Sequence, residues 1–132
     1  MLQRDYFIRI LQEFAAALAL FLEKKKDDKD DDLRELYRQY VGDYELLRNC
    51  SVEELLTYAS EQWNDEERTD RIGMVAELLY AEALLKTPVL RRMLMEKAYR
   101  LFDYVEENGS TFSIERQQKM AALRAELAQI GL

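Results

Sequence analysis

Apolar residues recur at intervals of three and four along almost the whole chain, and this spacing predicts helices. The clearest run is Phe7, Leu11, Phe14, Leu18 and Phe21, and Ile8, Ala15 and Leu22 widen it into a broad stripe. No stretch shows the sustained two-residue alternation of a strand. With 4 glycines and 1 proline among 132 residues, the chain also has few of the turn residues that β structure needs. We therefore expect an all-α fold.

The pattern divides into six predicted helices joined by short connectors. The first three helices cover residues 2–23, 33–47 and 51–63. The fourth has the acidic run NDEERTD at its N-terminal end and includes 72–83, and the last two cover 88–107 and 114–129. Capping signals mark several starts: Asp32 with Glu35, Ser51 with Glu54, and Thr87 before Pro88. Six helices on short connectors predict an antiparallel array that forms a single helical domain over residues 1–132.

A run of nine charged residues, KKKDDKDDD at 24–32, separates the first two predicted helices. For a calcium loop that begins at Asp28, the sixth position should be Gly and the twelfth Glu, but the chain has Leu33 and Gln39 there. The lysines instead suit the C-terminal end of one helix, and the aspartates suit the start of the next. We interpret the run as a solvated hinge.

The composition excludes several classes of function. The chain has no histidine, which removes Ser-His-Asp and Cys-His catalysis and the Glu-x-x-His ligands of di-iron bundles. The net charge of −7 opposes binding to nucleic acid, whose phosphates require Lys and Arg. The lone Cys50 allows no intrachain disulfide and favours a reducing, cytoplasmic location. We expect no catalytic residues, no metal site and no cofactor.

Two residue groups have both a structural and a functional interpretation. Cys50 lies at a predicted helix start, where its thiol could be reactive, but it also fits a hydrophobic staple with Leu55, which we prefer. The stripe Tyr37, Tyr40 and Tyr44 could be a platform for a ligand or peptide, or a half-buried core face with its hydroxyl groups in water.

The first predicted helix has three possible roles. Residues 1–26 contain five basic and three acidic residues, a net charge of +2, whereas the rest of the chain carries −9. Such a helix could lie on an anionic membrane, pack into the core, or pair with its copy in a homodimer. We expect burial, with no membrane association. The possible interaction surface consists of Phe7, Leu11, Phe14, Leu18, Phe21, Tyr37, Tyr40 and Tyr44.

Two sequence segments carry resemblances to known families. In KAYRLFDYV, the spacing of Ala98, Phe102 and Val105 resembles the second helix of a tetratricopeptide repeat, which implies stacked helical hairpins over residues 72–130. The hallmark Gly and the closing Pro of that repeat are missing. The segments RDYFIRILQEFAAAL and FSIERQ resemble a family of small bacterial proteins of unknown function, which implies a bacterial source and a helical fold but no activity.

These observations favour a non-enzymatic helical module that binds a protein partner, with homodimerisation as a subsidiary prediction. Two alternatives belong to other classes. One is a peripheral membrane protein that docks through its N-terminal amphipathic helix. The other is an enzyme or metal-binding bundle that uses only carboxylates and tyrosines, which would bring at least two acidic residues together inside the core.

Overall fold

A computed structural model of the chain describes residues 2–24, 29–109 and 112–130, and these residues form seven α-helices with no strand. The helices are α1 (Leu2–Glu23), α2 (Lys29–Tyr40), α3 (Tyr44–Asn49), α4 (Val52–Gln62), α5 (Asp65–Ala83), α6 (Pro88–Asn108) and α7 (Ile114–Ile130). The all-α expectation is confirmed. The predicted count of six is wrong by one.

The extra helix arises because the predicted second helix, 33–47, is interrupted at Gly42. Gly42 has a φ of 146°, a conformation that residues with a Cβ rarely adopt. A Cβ at this position would also lie 2.6 Å from the Tyr58 hydroxyl. Asp43 then starts α3, since its side chain accepts a 2.9 Å hydrogen bond from the Leu46 amide. The apolar spacing continues across this break, so periodicity alone did not reveal it.

The second helix begins four residues earlier than predicted, at Lys29. Asp32 is therefore in the first turn and does not cap the helix, so the predicted cap is wrong. The Asp32 carboxylate instead lies 2.8 Å from the Lys24 ammonium, across the predicted hinge. Residues 25–28 of that hinge lie outside the described part of the chain. Acidic side chains are favourable anywhere in a first turn, and for this reason the aspartate run did not fix the start of the helix.

The other predicted helix starts agree with the structure in most details. Ser51 and Glu54 form the predicted capping box, with hydrogen bonds of 3.0 and 2.8 Å. Asn64 caps α5. Thr87 precedes Pro88 at the start of α6, but its side chain makes no capping hydrogen bond, which corrects that part of the prediction. The fixed φ of Pro88 and the absence of an N–H there already suit a first helical position.

Helix α5 lies at the centre of the domain and packs most extensively against α6. Its buried residues are Ile72, Met74, Val75, Ala76, Leu78, Leu79, Ala81, Glu82 and Ala83. Two contacts show that α5 and α6 run in opposite directions. Arg91, near the start of α6, donates a hydrogen bond to the carbonyl of Leu84 at the end of α5, and Gly109, after the end of α6, lies near Thr69 in the first half of α5. Helices α1, α2 and α4 also contact α5.

Helix α1 packs against α2 and α5 along one edge. Phe7, Phe14, Leu18 and Phe21 are buried as predicted, whereas Leu11 is partly buried. Burial of four such side chains contributes roughly 1.5–3 kcal/mol each. The residues that widen the apolar stripe, Ile8, Ala15 and Leu22, are exposed. One edge of α1 is thus part of the core and the adjacent edge remains open.

Candidate functional site

The open edge of α1 forms the wall of a cleft that we call the α1–α7 cleft. The α1 residues that line it are Leu11, Phe14, Ala15, Leu18, Ala19 and Leu22. Leu11, Ala15, Leu18 and Leu22 follow the alternating four- and three-residue spacing of a helix seam. This second seam shares Leu11 and Leu18 with the seam that includes the buried Phe14. The face of α1 that packs in the core and the face that lines the cleft are therefore adjacent on the helix surface.

The floor of the α1–α7 cleft is also apolar. It consists of Met74 from α5 and Phe102 and Val105 from α6. Gly73 also lines the cleft and contributes no side chain, and a Cβ there would be in ordinary contact with Val105, at 3.7 Å. The cleft has a volume of about 350 Å³, which lies in the lower range of natural binding sites.

The opposite wall of the cleft is polar and belongs mainly to the start of α7. The Lys119 ammonium lies 2.6 Å from the Glu77 carboxylate of α5. Arg116 pairs with Glu106 of α6. Glu115 is exposed at the rim. The cleft therefore combines an apolar wall and floor with a charged rim, which is the usual anatomy of a protein-binding surface.

A second cavity, which we call the acidic end, adjoins the α1–α7 cleft. It has a volume of about 330 Å³ and shares Asp70, Val105 and Arg116 with the cleft. Its other lining residues are Arg4, Asp65, Glu66, Thr69, Asn108 and Gly109. Arg4 is bonded to the Asp70 carboxylate at 3.2 Å and to the Glu66 carbonyl at 3.4 Å. The starts of α1 and α5 and the end of α6 meet here.

A different polar group is buried between α2, α3 and α5. Glu82 of α5 is 0% exposed. One of its oxygens, Oε2, accepts a 2.8 Å hydrogen bond from the Tyr44 hydroxyl and lies 3.1 Å from the Arg48 guanidinium. Among the described residues, neither Glu82 Oε1 nor the nearby Tyr37 hydroxyl has a hydrogen-bond partner. We call Tyr37, Tyr44, Arg48 and Glu82 the Glu82 cluster.

Burial determines the titration behaviour of the Glu82 cluster. Burial, followed by the hydrogen bond to Glu82, raises the pKa of Tyr44 to about 12. Burial, together with the negative charge of Glu82, also raises the pKa of Tyr37 well above its ordinary value. Both phenols therefore stay neutral to a higher pH than an ordinary tyrosine, and the cluster places one buried acidic side chain opposite one arginine.

Comparisons with protein-family models, with curated proteins and with solved structures found no match. The site is therefore interpreted from its own chemistry.

The structure places most of the predicted interaction surface in the core. Phe7, Phe14, Leu18, Phe21, Tyr37 and Tyr40 are buried, and Leu11 and Tyr44 are partly buried. The phenylalanines and Leu18 lie on α1, which packs against α2 and α5. Tyr37 and Tyr44 belong to the Glu82 cluster, whereas Tyr40 packs against Phe14. Of the eight residues, Leu11, Phe14 and Leu18 reach the α1–α7 cleft.

The tyrosine stripe does not form an exposed platform. The Phe14 and Tyr40 rings meet edge to face with centroids 5.2 Å apart, and the Tyr37 and Tyr44 rings do so at 5.0 Å. The hydroxyl groups of Tyr37 and Tyr44 are directed into the protein near Glu82, and not into water as the core-face interpretation held. Sequence reasoning missed Glu82 itself, although its position in the apolar run AEALL was a usable signal.

Cys50 shows the features of a structural thiol. Its Sγ lies 3.6 Å from the Leu47 carbonyl oxygen, and the side chain is partly buried against the core. Burial raises the pKa of the Cys50 thiol, although the neighbouring Lys97 acts in the opposite direction. Lys97 donates to the Leu47 and Arg48 carbonyls at 3.3 and 2.6 Å. The thiol is thus less ionised than a free cysteine, which favours the structural interpretation.

Two properties of the described residues concern the metal-binding and membrane alternatives. Within residues 2–24, 29–109 and 112–130, no group of three or more Cys, Asp or Glu side chains is arranged to hold a metal ion. None of the described helices is sufficiently long and apolar to cross a membrane. Glu82 is the only buried charged residue in the described part of the chain, so the convergent acidic pair of the carboxylate-only alternative is not seen there.

Proposed function

We propose that this chain is a non-enzymatic helical module that binds a segment of a partner protein in the α1–α7 cleft. The observation that supports this proposal is the open seam of α1. Ala15 and Leu22 line the cleft and are exposed, although they adjoin a seam that is buried. Ile8, seven residues before Ala15, is also exposed but lies outside the cleft. A contiguous apolar face beside a charged rim is typical of an interaction site.

The shape of the cleft favours a protein segment over a small molecule. From Leu11 to Leu22 the apolar wall follows eleven residues of helix, which corresponds to roughly 16 Å. The cleft is bounded by α1 on one side and by the start of α7 on the other. Helix-lined apolar grooves of this kind bind helical segments through side chains spaced three and four apart.

The tetratricopeptide resemblance is consistent with this proposal. Ala98, Phe102 and Val105 are buried on α6, and α6 packs antiparallel to α5. In repeats of that type, neighbouring hairpins leave a groove that binds peptide segments. Here α1 and α7 would bound the equivalent groove, with Phe102 and Val105 at its floor.

The alternatives would use α1 differently. A membrane-docking helix would insert its apolar face into lipid, but Phe7, Phe14, Leu18 and Phe21 already lie within the protein. A homodimer would pair the open seam of α1 with its copy. The binding experiment below therefore includes a second copy of the chain among its possible partners.

The proposal is tested by filling the cleft. Ala15→Trp places a large side chain in the wall of the α1–α7 cleft, whereas Ala16→Trp makes the same change at an exposed position outside it. Each purified variant is used to capture partners from the native host. Captured proteins are then purified, and their affinities for the wild-type chain and both variants are measured by calorimetry.

We expect binding to be lost, by at least about tenfold, in Ala15→Trp and to be retained in Ala16→Trp. Circular dichroism of both variants shows whether the fold is intact. Equal affinity of the two variants, or the absence of any partner that binds the wild-type chain directly, would overturn the proposal. Capture of the chain itself, with the same dependence on Ala15, would identify the partner as a second copy.

A further inference from the structure

We infer that the occupant of the α1–α7 cleft is an amphipathic helix of about three turns, with lysine or arginine residues at the end that lies against Asp65 and Glu66. This inference rests on the proposed function and adds the chemistry of the partner. It is carried by the adjacency of the two cavities and by the change in chemistry between them.

The α1–α7 cleft and the acidic end are neighbours, since Asp70, Val105 and Arg116 line both cavities, and we take the two together as one groove. The groove follows α5, from Asp65 and Glu66 at one end to Glu77 at the other. The eleven residues from Glu66 to Glu77 correspond to roughly 16 Å of helix. A helical occupant of the same length has three turns and 11 or 12 residues.

The apolar part of the groove fixes the spacing of the occupant. Leu11, Ala15, Leu18 and Leu22 present side chains at intervals of four, three and four residues along one wall. A three-turn helix lying alongside α1 would match Leu11, Ala15 and Leu18 with apolar residues at the same spacing, which leaves one turn to lie against the acidic end. An extended strand is disfavoured because helices line the groove, and their side chains offer no free edge of backbone N–H and C=O groups to pair with it.

The acidic end fixes the polarity of the occupant. Asp65 and Glu66 are exposed there, and the Asp65 side chain is 91% exposed although it pairs with Arg68. The basic residues at this end are already engaged, because Arg4 bonds Asp70 and the Glu66 carbonyl, and Arg116 bonds Glu106. The lining of the acidic end contains three acidic and two basic side chains, and the two of these that are exposed, Asp65 and Glu66, are acidic, so a cationic side chain is the complement of this end.

The helix ends at this site carry partial charges of both signs, because the starts of α1 and α5 and the end of α6 meet there, so the side chains decide the sign. Asn108 and Gly109, at the C-terminal end of α6, line the acidic end, and a helix C-terminus carries about half a negative charge. The N-terminus of α5 contributes about half a positive charge, but its first turn contains Asp65, Glu66 and Glu67. The whole chain carries −7, which would also speed the encounter with a basic segment.

The test is a selection from displayed random 16-residue peptides. The library is selected on the wild-type chain at low salt and counter-selected on Ala15→Trp, so that only peptides that depend on the cleft remain. We expect the selected peptides to carry apolar residues at spacings of three and four, and lysine or arginine clustered at one end. If Ala15→Trp does not fold, Leu22→Glu replaces it, since Leu22 is exposed and lines the same wall.

The position of the basic end is tested with one synthetic peptide from the selection. Its affinity is measured against the wild-type chain, Glu66→Lys and Glu61→Lys. The last is the matched control, because it makes the same charge change at an exposed residue of α4 outside the groove. We expect Glu66→Lys to weaken binding about fivefold to tenfold at low salt, with a smaller effect at high salt, and Glu61→Lys to have much less effect.

The outcomes separate this inference from the function on which it rests. Peptides that depend on the cleft but lack helical spacing or a basic end would overturn the inference and leave the proposed function standing. Equal effects of Glu66→Lys and Glu61→Lys on the affinity for the peptide would also overturn the inference and leave the proposed function standing. If no selected peptide distinguishes the wild-type chain from Ala15→Trp, and no captured protein does so either, both proposals fail.

Discussion

Helices α1 and α5 are of similar length, 22 and 19 residues, but they are buried to very different extents. Helix α5 has neighbours on several sides and buries nine residues. The described part of α1 buries Phe7, Phe14, Leu18 and Phe21 along one edge. The more regular apolar stripe thus belongs to the less buried helix. Stripe width alone does not show how many sides of a helix are covered.

The same two helices also differ in the polar groups that they bury. Helix α5 places Glu82 inside the protein, where Tyr44 and Arg48 hold one of its oxygens. On α1, the charged residues are exposed or lie at the rim, as Arg4 does beside Asp70. A central helix therefore contributes a costly buried charge, whereas the peripheral helix contributes an accessible apolar face. The four predictions below test this contrast.

Deletion of residues 1–24 should have the largest effect. It exposes the faces of α2 and α5 that the four buried α1 side chains cover, at roughly 1.5–3 kcal/mol each. That sum is comparable with the roughly 5–15 kcal/mol that stabilises a whole domain. We expect the remaining chain to lose its cooperative thermal transition, as measured by circular dichroism. A folded, soluble remainder would instead favour the membrane-docking alternative for α1.

Glu82→Ala should be the most damaging single substitution of the four predictions. It leaves the Arg48 guanidinium partly buried without its carboxylate, and such losses cost about 3–5 kcal/mol. Glu82→Gln is the control, because it retains the shape and an acceptor oxygen for the Tyr44 hydroxyl. We expect urea denaturation to show a clearly smaller loss for Glu82→Gln. Similar losses in both variants would mean that the charge itself, and not the hydrogen bonding, stabilises the cluster.

Leu79→Ala in α5 should cost about 2–5 kcal/mol, because Leu79 is fully buried and its removal leaves a cavity. Leu20→Ala removes the same atoms from α1, where Leu20 is 63% exposed. We expect that change to be within about 0.5 kcal/mol of the wild type. The denaturation midpoints of the two variants measure the difference in stability directly. Equal midpoints would show that these positions of α1 and α5 are buried to the same extent.

The smallest effect concerns the pH dependence of stability. The pKa of Tyr44 is raised from 10.0 to about 12 in the folded protein. Its contribution to the free energy of unfolding is therefore complete below about pH 10 and is lost as the pH rises from about 10 to about 12. In Tyr44→Phe, we expect stability to fall less steeply over this interval, as measured by denaturant unfolding at each pH.

Tyr6→Phe is the control for this measurement, since Tyr6 lies on α1 and is 66% exposed. Its pH profile should match that of the wild type, including the contributions of Tyr37, Tyr40 and Tyr58, whose pKa values burial also raises. If Tyr44→Phe and the wild type have the same profile, the pKa of Tyr44 is not raised by burial and by the hydrogen bond to Glu82 as stated.

Much of the fold was predictable from local chemistry. The capping box of Ser51 and Glu54, the start of α6 at Pro88 and the buried edge of α1 all follow from side chains within a few residues of one another. The break at Gly42 was missed because it depends partly on Tyr58, which is distant in sequence and occupies the space that a Cβ would need.

The candidate site was less predictable. The open seam of Ile8, Ala15 and Leu22 was visible as part of a broad stripe, but its exposure was not. The floor of the α1–α7 cleft comes from Met74, Phe102 and Val105 on two other helices. Likewise, Glu82 meets Tyr44 and Arg48 from positions 38 and 34 residues away. No pattern confined to one helix can show such encounters.

The sequence by itself determined that the chain is helical, where most helices begin, and which chemistry is absent for want of histidine. These properties depend on interactions between neighbours in the chain or on composition. Only the tertiary structure decided which edge of each helix is covered. Burial of an apolar stripe is favourable, but the helix that covers the stripe comes from another part of the chain. On the open edge of α1, no helix among the described residues covers the stripe.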